Sequence, residues 1–100
     1  MSPIHVYDAA KYLTTPEAIS EYLTAALEHE NPELFIHALR DVARSSGFAV
    51  IAEASGLGRE SLYKSVSPGT KPRFDTIVRI LASLGVVLTT RPRSSKSVAT

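Results

Sequence analysis

The feature that most constrains the fold is the stretch Phe48 to Val66, FAVIAEASGLGRESLYKSV, which predicts a short helix, a tight turn at Gly56 and a second short helix. Glycine suits a left-handed turn because a Cβ atom is penalised there. Ala52 precedes the turn by four residues, and its small side chain lets two short helices pass close together. The residues predicted to lie on the inward side of the crossing are Ile51, Leu57 and Leu62.

The outer side of the second short helix is polar and partly basic. This pattern is typical of a helix-turn-helix, whose second helix usually enters the DNA major groove. The alternative is a helical hairpin that serves only as core, because short Ala-rich helices joined by a glycine turn are common. The candidate DNA-binding residues in this helix and the loop after it are Arg59, Glu60, Ser61, Tyr63, Lys64, Ser65, Lys71 and Arg73.

These candidates have different expected roles. Arg59 begins the second helix, where a guanidinium can pair with guanine O6 and N7, whereas Ser61 can contact a base edge or a phosphate. Glu60 repels phosphate, so we expect it to pair with Lys64 four residues later rather than to accept from cytosine N4. Tyr63 has an apolar ring and a polar hydroxyl, which predicts half core and half phosphate contact. The cations of the following loop suit a neighbouring phosphate.

Charge is divided unevenly along the 100 residues, although the net charge is only +1. Residues 1–36 carry six acidic side chains and one basic one, whereas residues 37–100 carry ten basic and four acidic ones. Such a split suggests two faces with different partners. Ordinary solvated helix surface would give the same counts.

Proline and glycine signals divide the chain into five predicted helices, so the fold class is all-α. Thr15-Pro16-Glu17 and Asn31-Pro32-Glu33 each combine a capping residue with proline at the first helical position. The first helix is expected to reach about His29 and the second about Ser46. The last helix is expected over about Arg73 to Leu84, and its predicted apolar face is Phe74, Ile77, Val78, Leu81 and Leu84.

A short β-branched run, Val86 to Thr90, predicts a C-terminal strand. Val86 to Leu88, together with the last helix, form the candidate contact of a homodimer. The predicted domain covers residues 15–90, between an N-terminal arm, residues 1–14, and a disordered basic tail, residues 91–100.

No catalytic pattern stands out. Cysteine is absent, the three histidines have no metal-ligand spacing, and there is no phosphate-binding glycine loop or nucleophile elbow. We therefore predict a protein that is not an enzyme and uses no metal or cofactor. The sequence has no apolar run of membrane-spanning length, which predicts a cytoplasmic protein without a membrane partner.

The order of elements resembles the phage-repressor-like DNA-binding fold of the Cro and lambda-repressor type. The pieces ALRDVAR, GLGRESLYKSVS and PRFDTIVRILASLG look more narrowly like the addiction-module antidote proteins of the HigA-like group. This resemblance covers about residues 6–88. It implies a five-helix, lambda-repressor-like helix-turn-helix domain with the short C-terminal strand.

In that group the antitoxin neutralises a RelE/ParE-like toxin encoded beside it and represses their shared operon by binding operator DNA. The resemblance implies the same partners for this chain. The family tends to have polar residues at the start of the first motif helix, where this chain has Ala49 and Val50. The backbone N–H groups there remain as candidate phosphate contacts.

We expect residues 4–30 to supply much of the toxin-binding surface. This segment is acidic, whereas a toxin that grips RNA must be basic, and tyrosine is favoured as an interface anchor. The alternative is that the same side chains complete the domain's own core. The candidate toxin-binding residues are Val6, Tyr7, Asp8, Tyr12, Leu13, Glu17 and Tyr22.

Three functions fit the sequence. The first is an antitoxin that also binds DNA. The second is a stand-alone repressor of phage type without a toxin, and the third is a protein-interaction module that has lost DNA binding. A RelE/ParE-like reading frame beside the gene would separate the first from the second.

Overall fold

The computed structural model describes residues 13–93, so most of the predicted arm and residues 94–100 of the predicted tail lie outside the described residues. All the secondary structure of the described chain is helical, which confirms the all-α prediction. The five helices are α1 (Pro16–Leu27), α2 (Pro32–Ser46), α3 (Phe48–Ser55), α4 (Arg59–Ser65) and α5 (Phe74–Ser83).

The first two helices begin where the capping residues predict. The Thr15 hydroxyl accepts a hydrogen bond from the backbone N–H of Ala18 at 3.1 Å. The Asn31 side chain accepts one from the N–H of Glu33 at 3.0 Å. Both side chains satisfy an N–H group that has no partner inside the helix, and a proline follows each of them. The helix starts are therefore encoded locally.

All five helices contribute to one core, and α1 supplies Ile19 and Leu23 where it packs on α2. Leu39 and Val42 of α2 are fully buried, as are Leu62 of α4 and Ile80 of α5. Gly85, just after α5, approaches the start of α1 so closely that an added Cβ would lie 3.4 Å from the ring of Pro16. The two ends of the domain therefore lie next to each other.

The apolar face of α5 differs from the predicted one. Phe74 and Val78 are 69% and 42% exposed, although both were expected to point inward. Val78 lies about 100° around the helix from Ile77, outside the buried stripe to which Ile77, Ile80 and Leu81 belong. Phe74 lies in the first turn, at the edge of the core. The buried residues at the end of this domain are Ile77, Ile80, Leu81 and Leu84.

The predicted C-terminal strand is absent from the described chain: residues 86–90 have no regular secondary structure. A strand needs a neighbour for its backbone hydrogen bonds, and residues 13–93 contain no other strand. The segment instead turns back across the end of α1, where Arg91 donates to Glu28 at 2.7 Å and Arg93 pairs with Glu30. We call residues 86–93 the C-terminal strap.

Candidate functional site

The turn between α3 and α4 is closed by its own hydrogen bonds. Gly56 adopts left-handed backbone angles, with φ 76° and ψ 12°, as predicted, and its N–H donates to the carbonyl of Ala52 at 3.1 Å. The buried hydroxyl of Ser55 donates to the same carbonyl at 3.3 Å and accepts from the N–H of Leu57 at 3.3 Å. The turn therefore has one well-defined geometry.

Helix α5 adds a further contact to this turn. The Arg79 guanidinium donates through Nη2 to the carbonyl oxygen of Gly56 at 3.4 Å. A cation suits this place because the carbonyl groups at the end of α3 carry a partial negative charge. Nothing in the sequence pattern identified Arg79, since it lies 23 residues away from Gly56.

One buried side chain sets the rotation of α4. Leu62 is fully buried against the core, as the sequence predicted. Arg59, Ser61 and Lys64 are exposed, and so is Glu60. The polar face of α4 is therefore presented to solvent as a unit.

Tyr63, predicted to be half core and half phosphate contact, lies on the surface outside the buried core. Its ring stacks on Phe48 at the start of α3, with centroids 4.2 Å apart and planes inclined by 25°. The side chain is nevertheless 47% exposed. The aromatic pair joins the two helices from outside the core, and Phe48 is a participant that the sequence analysis did not single out.

The expected ion pair between Glu60 and Lys64 is not present in the structure, so that prediction was wrong. An exposed pair of this kind gains only about 0.3–0.5 kcal/mol, which hardly offsets the entropy lost by ordering two long side chains. Ser65 is half-buried, and its hydroxyl donates to the carbonyl of Ser61 at 2.8 Å. Ser65 is therefore occupied within its own helix.

The two cations of the loop before α5 are both exposed but differ in their partners. The Arg73 Nε lies 3.2 Å from the carboxylate of Asp75. Both side chains are open to solvent, so the pair is weak. Lys71 projects from the loop that separates α4 from α5.

The start of α3 has no side-chain cap. Gly47 precedes the helix with φ 100°, and no side chain accepts the N–H groups of the first turn. Ala49 and Val50 are exposed there. This end of α3 thus presents backbone donors beside apolar side chains.

The candidate toxin-binding residues divide into four groups, of which the last is Tyr22 alone. Val6, Tyr7, Asp8 and Tyr12 lie outside the described residues. Leu13 is only 4% exposed and belongs to the core, which is the alternative left open for it. Glu17 is exposed in the first turn of α1.

Tyr22 joins α1 to α2. Its hydroxyl donates to Oδ2 of Asp41 at 2.7 Å, and its ring packs against the core. Burial, followed by the hydrogen bond to Asp41 and the carboxylate charge, raises the pKa of Tyr22 to about 12. The phenol is therefore a neutral donor at physiological pH and is used inside the domain.

The described residues form neither a candidate metal site nor a candidate membrane-spanning helix. Between residues 13 and 93, no three histidine or carboxylate side chains come together in a way that could hold a metal ion. Over the same residues, no helix is both long and apolar enough to cross a membrane.

Known proteins are similar to this chain over most of its length. A protein of Haemophilus influenzae, described only as uncharacterized, is 38% identical over 80 residues, which cover 80% of this chain and 82% of that protein. No solved structure matches the chain. A family model described as "probable addiction module antidote protein" matches residues 3–92. Since that match covers nearly the whole sequence, the chain belongs to the family of probable addiction module antidote proteins.

Proposed function

We propose that this antitoxin neutralises a RelE/ParE-like toxin and represses its own operon by binding operator DNA through α4. The observation that carries the DNA-binding half is the orientation of α4. Leu62 holds one side of the helix in the core, while Arg59, Ser61 and Lys64 are exposed together on the other. A helix offered to the major groove as a helix-turn-helix needs this division.

Each contact has a distinct physical role. Arg59 opens α4 and is the proposed base contact, because guanidinium pairs bidentately with guanine. Lys64, about one turn later, is the proposed phosphate contact. Lys71 and Arg73 extend the basic surface along the adjoining loop, where they would approach the neighbouring phosphates. Tyr63, partly exposed over Phe48, adds a hydroxyl at the same edge.

The uncapped start of α3 supports a further backbone contact. Its first N–H groups have no side-chain acceptor, and the positive end of the helix dipole lies there. A DNA phosphate would satisfy these groups without needing a polar side chain at Ala49 or Val50. This proposal gives the apolar start of α3 a place in DNA binding.

We propose that the protein binds its operator as a homodimer, since a single recognition helix reads only a few base pairs and two half-sites lie about one helical turn apart. The exposed Val78 makes the outer face of α5 the proposed dimer contact. Val86 packs on its own core, so Val87, which is 80% exposed, is the residue of the C-terminal run that we propose for contact with a second copy.

The toxin-binding half of the proposal rests on charge. Glu17 is exposed at the start of α1, and Glu28 and Glu30 are exposed past its end. A toxin that grips RNA must carry basic surface, so this acidic side would steer its association. Because α4 belongs to a different, basic part of the sequence, both partners could be bound together.

Operator binding tests the DNA half. We expect Arg59→Ala to cost about 1–3 kcal/mol in operator affinity and to relax preference at one base pair. Lys64→Ala should weaken binding to all sequences alike and lower the slope of log affinity against log salt by about one unit. Affinities measured by fluorescence anisotropy on operator and scrambled duplexes check both. Unchanged affinity in the double variant would remove α4 from the DNA interface.

Rescue of cells tests the toxin half. The product of the reading frame beside the gene is expressed with and without the antitoxin. Full-length antitoxin should restore growth, and a variant lacking residues 1–12, which keeps the buried Leu13, should show how much the arm contributes. Absence of any toxic neighbouring product would favour the stand-alone repressor instead.

A further inference from the structure

An apolar groove lies where the end of α1 meets the start of α2 and the loop before α5. Its volume is about 680 Å³, which is within the range of about 300–1,000 Å³ usual for binding pockets. Several of its apolar side chains are unusually exposed for their size, notably Leu27 and Phe74. The apolar residues that line it include Leu27, Pro32, Phe35, Ile36, Phe74 and Leu88.

The edge of this groove is acidic. Glu30 and Glu33 line it, and Glu28 lines the adjoining space under the strap. Among the described residues that line the groove, Lys71 is the one basic side chain. An apolar floor with a carboxylate edge suits a segment that alternates apolar and basic side chains, because each type then meets its complement.

The strap already places basic side chains of this chain on these carboxylates. Arg91 donates to Glu28 and Arg93 pairs with Glu30. The two arginines are two residues apart, which is the spacing that puts side chains on one side of an extended backbone. The acidic edge therefore accepts two cations from one extended segment.

The strap is weakly held beside this groove, which only Leu88 of the strap lines. A space of about 630 Å³ remains between it and α1, and Val87 is 80% exposed. Only Val86 at its start packs against the core. The two ion pairs are open to solvent, and such pairs contribute about 0–1 kcal/mol each. A better-fitting segment could displace the strap at little cost.

We propose that this groove is the docking site for an extended basic segment of the toxin, which displaces the strap. Cations of that segment would replace Arg91 and Arg93 on Glu28 and Glu30. Its apolar side chains would lie between Leu27, Phe35 and Phe74. The inference rests on the proposed antitoxin function and assigns the toxin to one end of α1. Strap residues and toxin then compete for the same carboxylates.

The test measures binding of the full-length protein to the product of the reading frame beside its gene by titration calorimetry. Glu28→Gln combined with Glu30→Gln should weaken binding by about tenfold or more, since both charge-assisted contacts are lost. Glu53→Lys is the matched control. It changes net charge by the same amount at an exposed site on α3, and it should leave the affinity within about twofold.

Two further variants separate the groove from the strap. Arg91→Ala with Arg93→Ala removes the competitor and should tighten toxin binding by about two- to fivefold. Combining Glu28→Arg and Glu30→Arg with Arg91→Glu and Arg93→Glu restores the strap pairs at unchanged net charge. This exchanged protein should still bind the toxin weakly. Recovery of full affinity would show that the acidic pair acts only by holding the strap, which would overturn the proposal.

The outcomes distinguish this inference from the proposed function. If the wild-type protein binds the neighbouring product and the double glutamine variant binds equally well, the groove is not the docking site, although the antitoxin function stands. If the wild type does not bind the product at all, both proposals fall. If the double glutamine variant instead loses a homodimer in sedimentation while toxin affinity is kept, the groove takes a second copy and the proposal is wrong.

Discussion

The α3–α4 pair and the C-terminal strap are both short segments on the surface of one small domain, and they are held in different ways. Helix α4 is anchored by the fully buried Leu62 and by a turn that is closed by its own backbone hydrogen bonds and contacted by Arg79. The strap is held by Val86 and by two ion pairs that remain in solvent. Burial therefore fixes the orientation of α4, whereas the weakly held strap can be displaced by another segment.

The largest expected difference between the two regions is in stability. Leu62→Ala should lower the free energy of unfolding by about 2–5 kcal/mol, because it removes buried methyl groups and leaves a cavity. Val87→Ala in the strap should change it by less than about 0.5 kcal/mol, because that side chain is mostly in solvent already. Urea unfolding followed by circular dichroism measures both. Similar losses in the two variants would break the comparison.

Backbone geometry at the start of α4 should give the next largest effect. Gly58 has φ 86° and ψ 154°, a region that is essentially restricted to glycine. Gly58→Ala should therefore cost about 1–3 kcal/mol through strain alone, since nothing lies within 4 Å of the added Cβ. Thr89→Ala in the strap is the control and should be nearly neutral. If urea unfolding gave Gly58→Ala wild-type stability, the turn would be less rigid than we describe.

The Tyr22 hydrogen bond to Asp41 should contribute about 1 kcal/mol, which Tyr22→Phe removes. Because the folded-state pKa is raised from 10.0 to about 12, this contribution is fully present below pH 10 and is lost as the pH rises towards 12. An ultraviolet titration of tyrosinate should show one tyrosine ionising later than the others. The late step should vanish in Tyr22→Phe. Its persistence there would assign it to another tyrosine.

The smallest expected effect is that of the strap's ion pairs. Arg91→Ala with Arg93→Ala should lower the free energy of unfolding by no more than about 1 kcal/mol, because both pairs are exposed. The difference from wild type should shrink in high salt, which screens surface charges. Urea unfolding at two salt concentrations checks this. A loss of stability as large as that of Leu62→Ala would mean that the strap contributes as much to the stability of the domain as the core does.

Some parts of this structure were predictable because their causes are local. Thr15 and Asn31 cap their own helices through hydrogen bonds to residues two or three positions away. Gly56 adopts the left-handed turn that its lack of a Cβ permits. The exposure of Arg59, Ser61 and Lys64 also has a local cause, since the position of Leu62 decides which side of so short a helix faces outward. Ser65, expected on the same side, is half-buried.

Other parts depended on contacts between residues far apart in the chain. The exposure of Phe74 and Val78 was missed because an apolar run does not reveal how far the core extends along a helix or around it. Arg79 at the turn and Arg91 on Glu28 were missed because their partners lie 23 and 63 residues away. The unpaired state of Glu60 and Lys64 follows from solvent competition on an open surface.

The sequence by itself determined the five helices, the starts of α1 and α2, the turn at Gly56 and the polar side of α4, since all of these depend on backbone conformation and hydrogen bonds over a few residues. Only the tertiary structure decided that Leu13 belongs to the core, that Tyr22 donates a hydrogen bond to Asp41, and that residues 86–93 lie over α1 rather than in a strand. Each of these depends on which surfaces remain uncovered once the helices have packed, and packing brings together residues whose local sequences carry no information about one another.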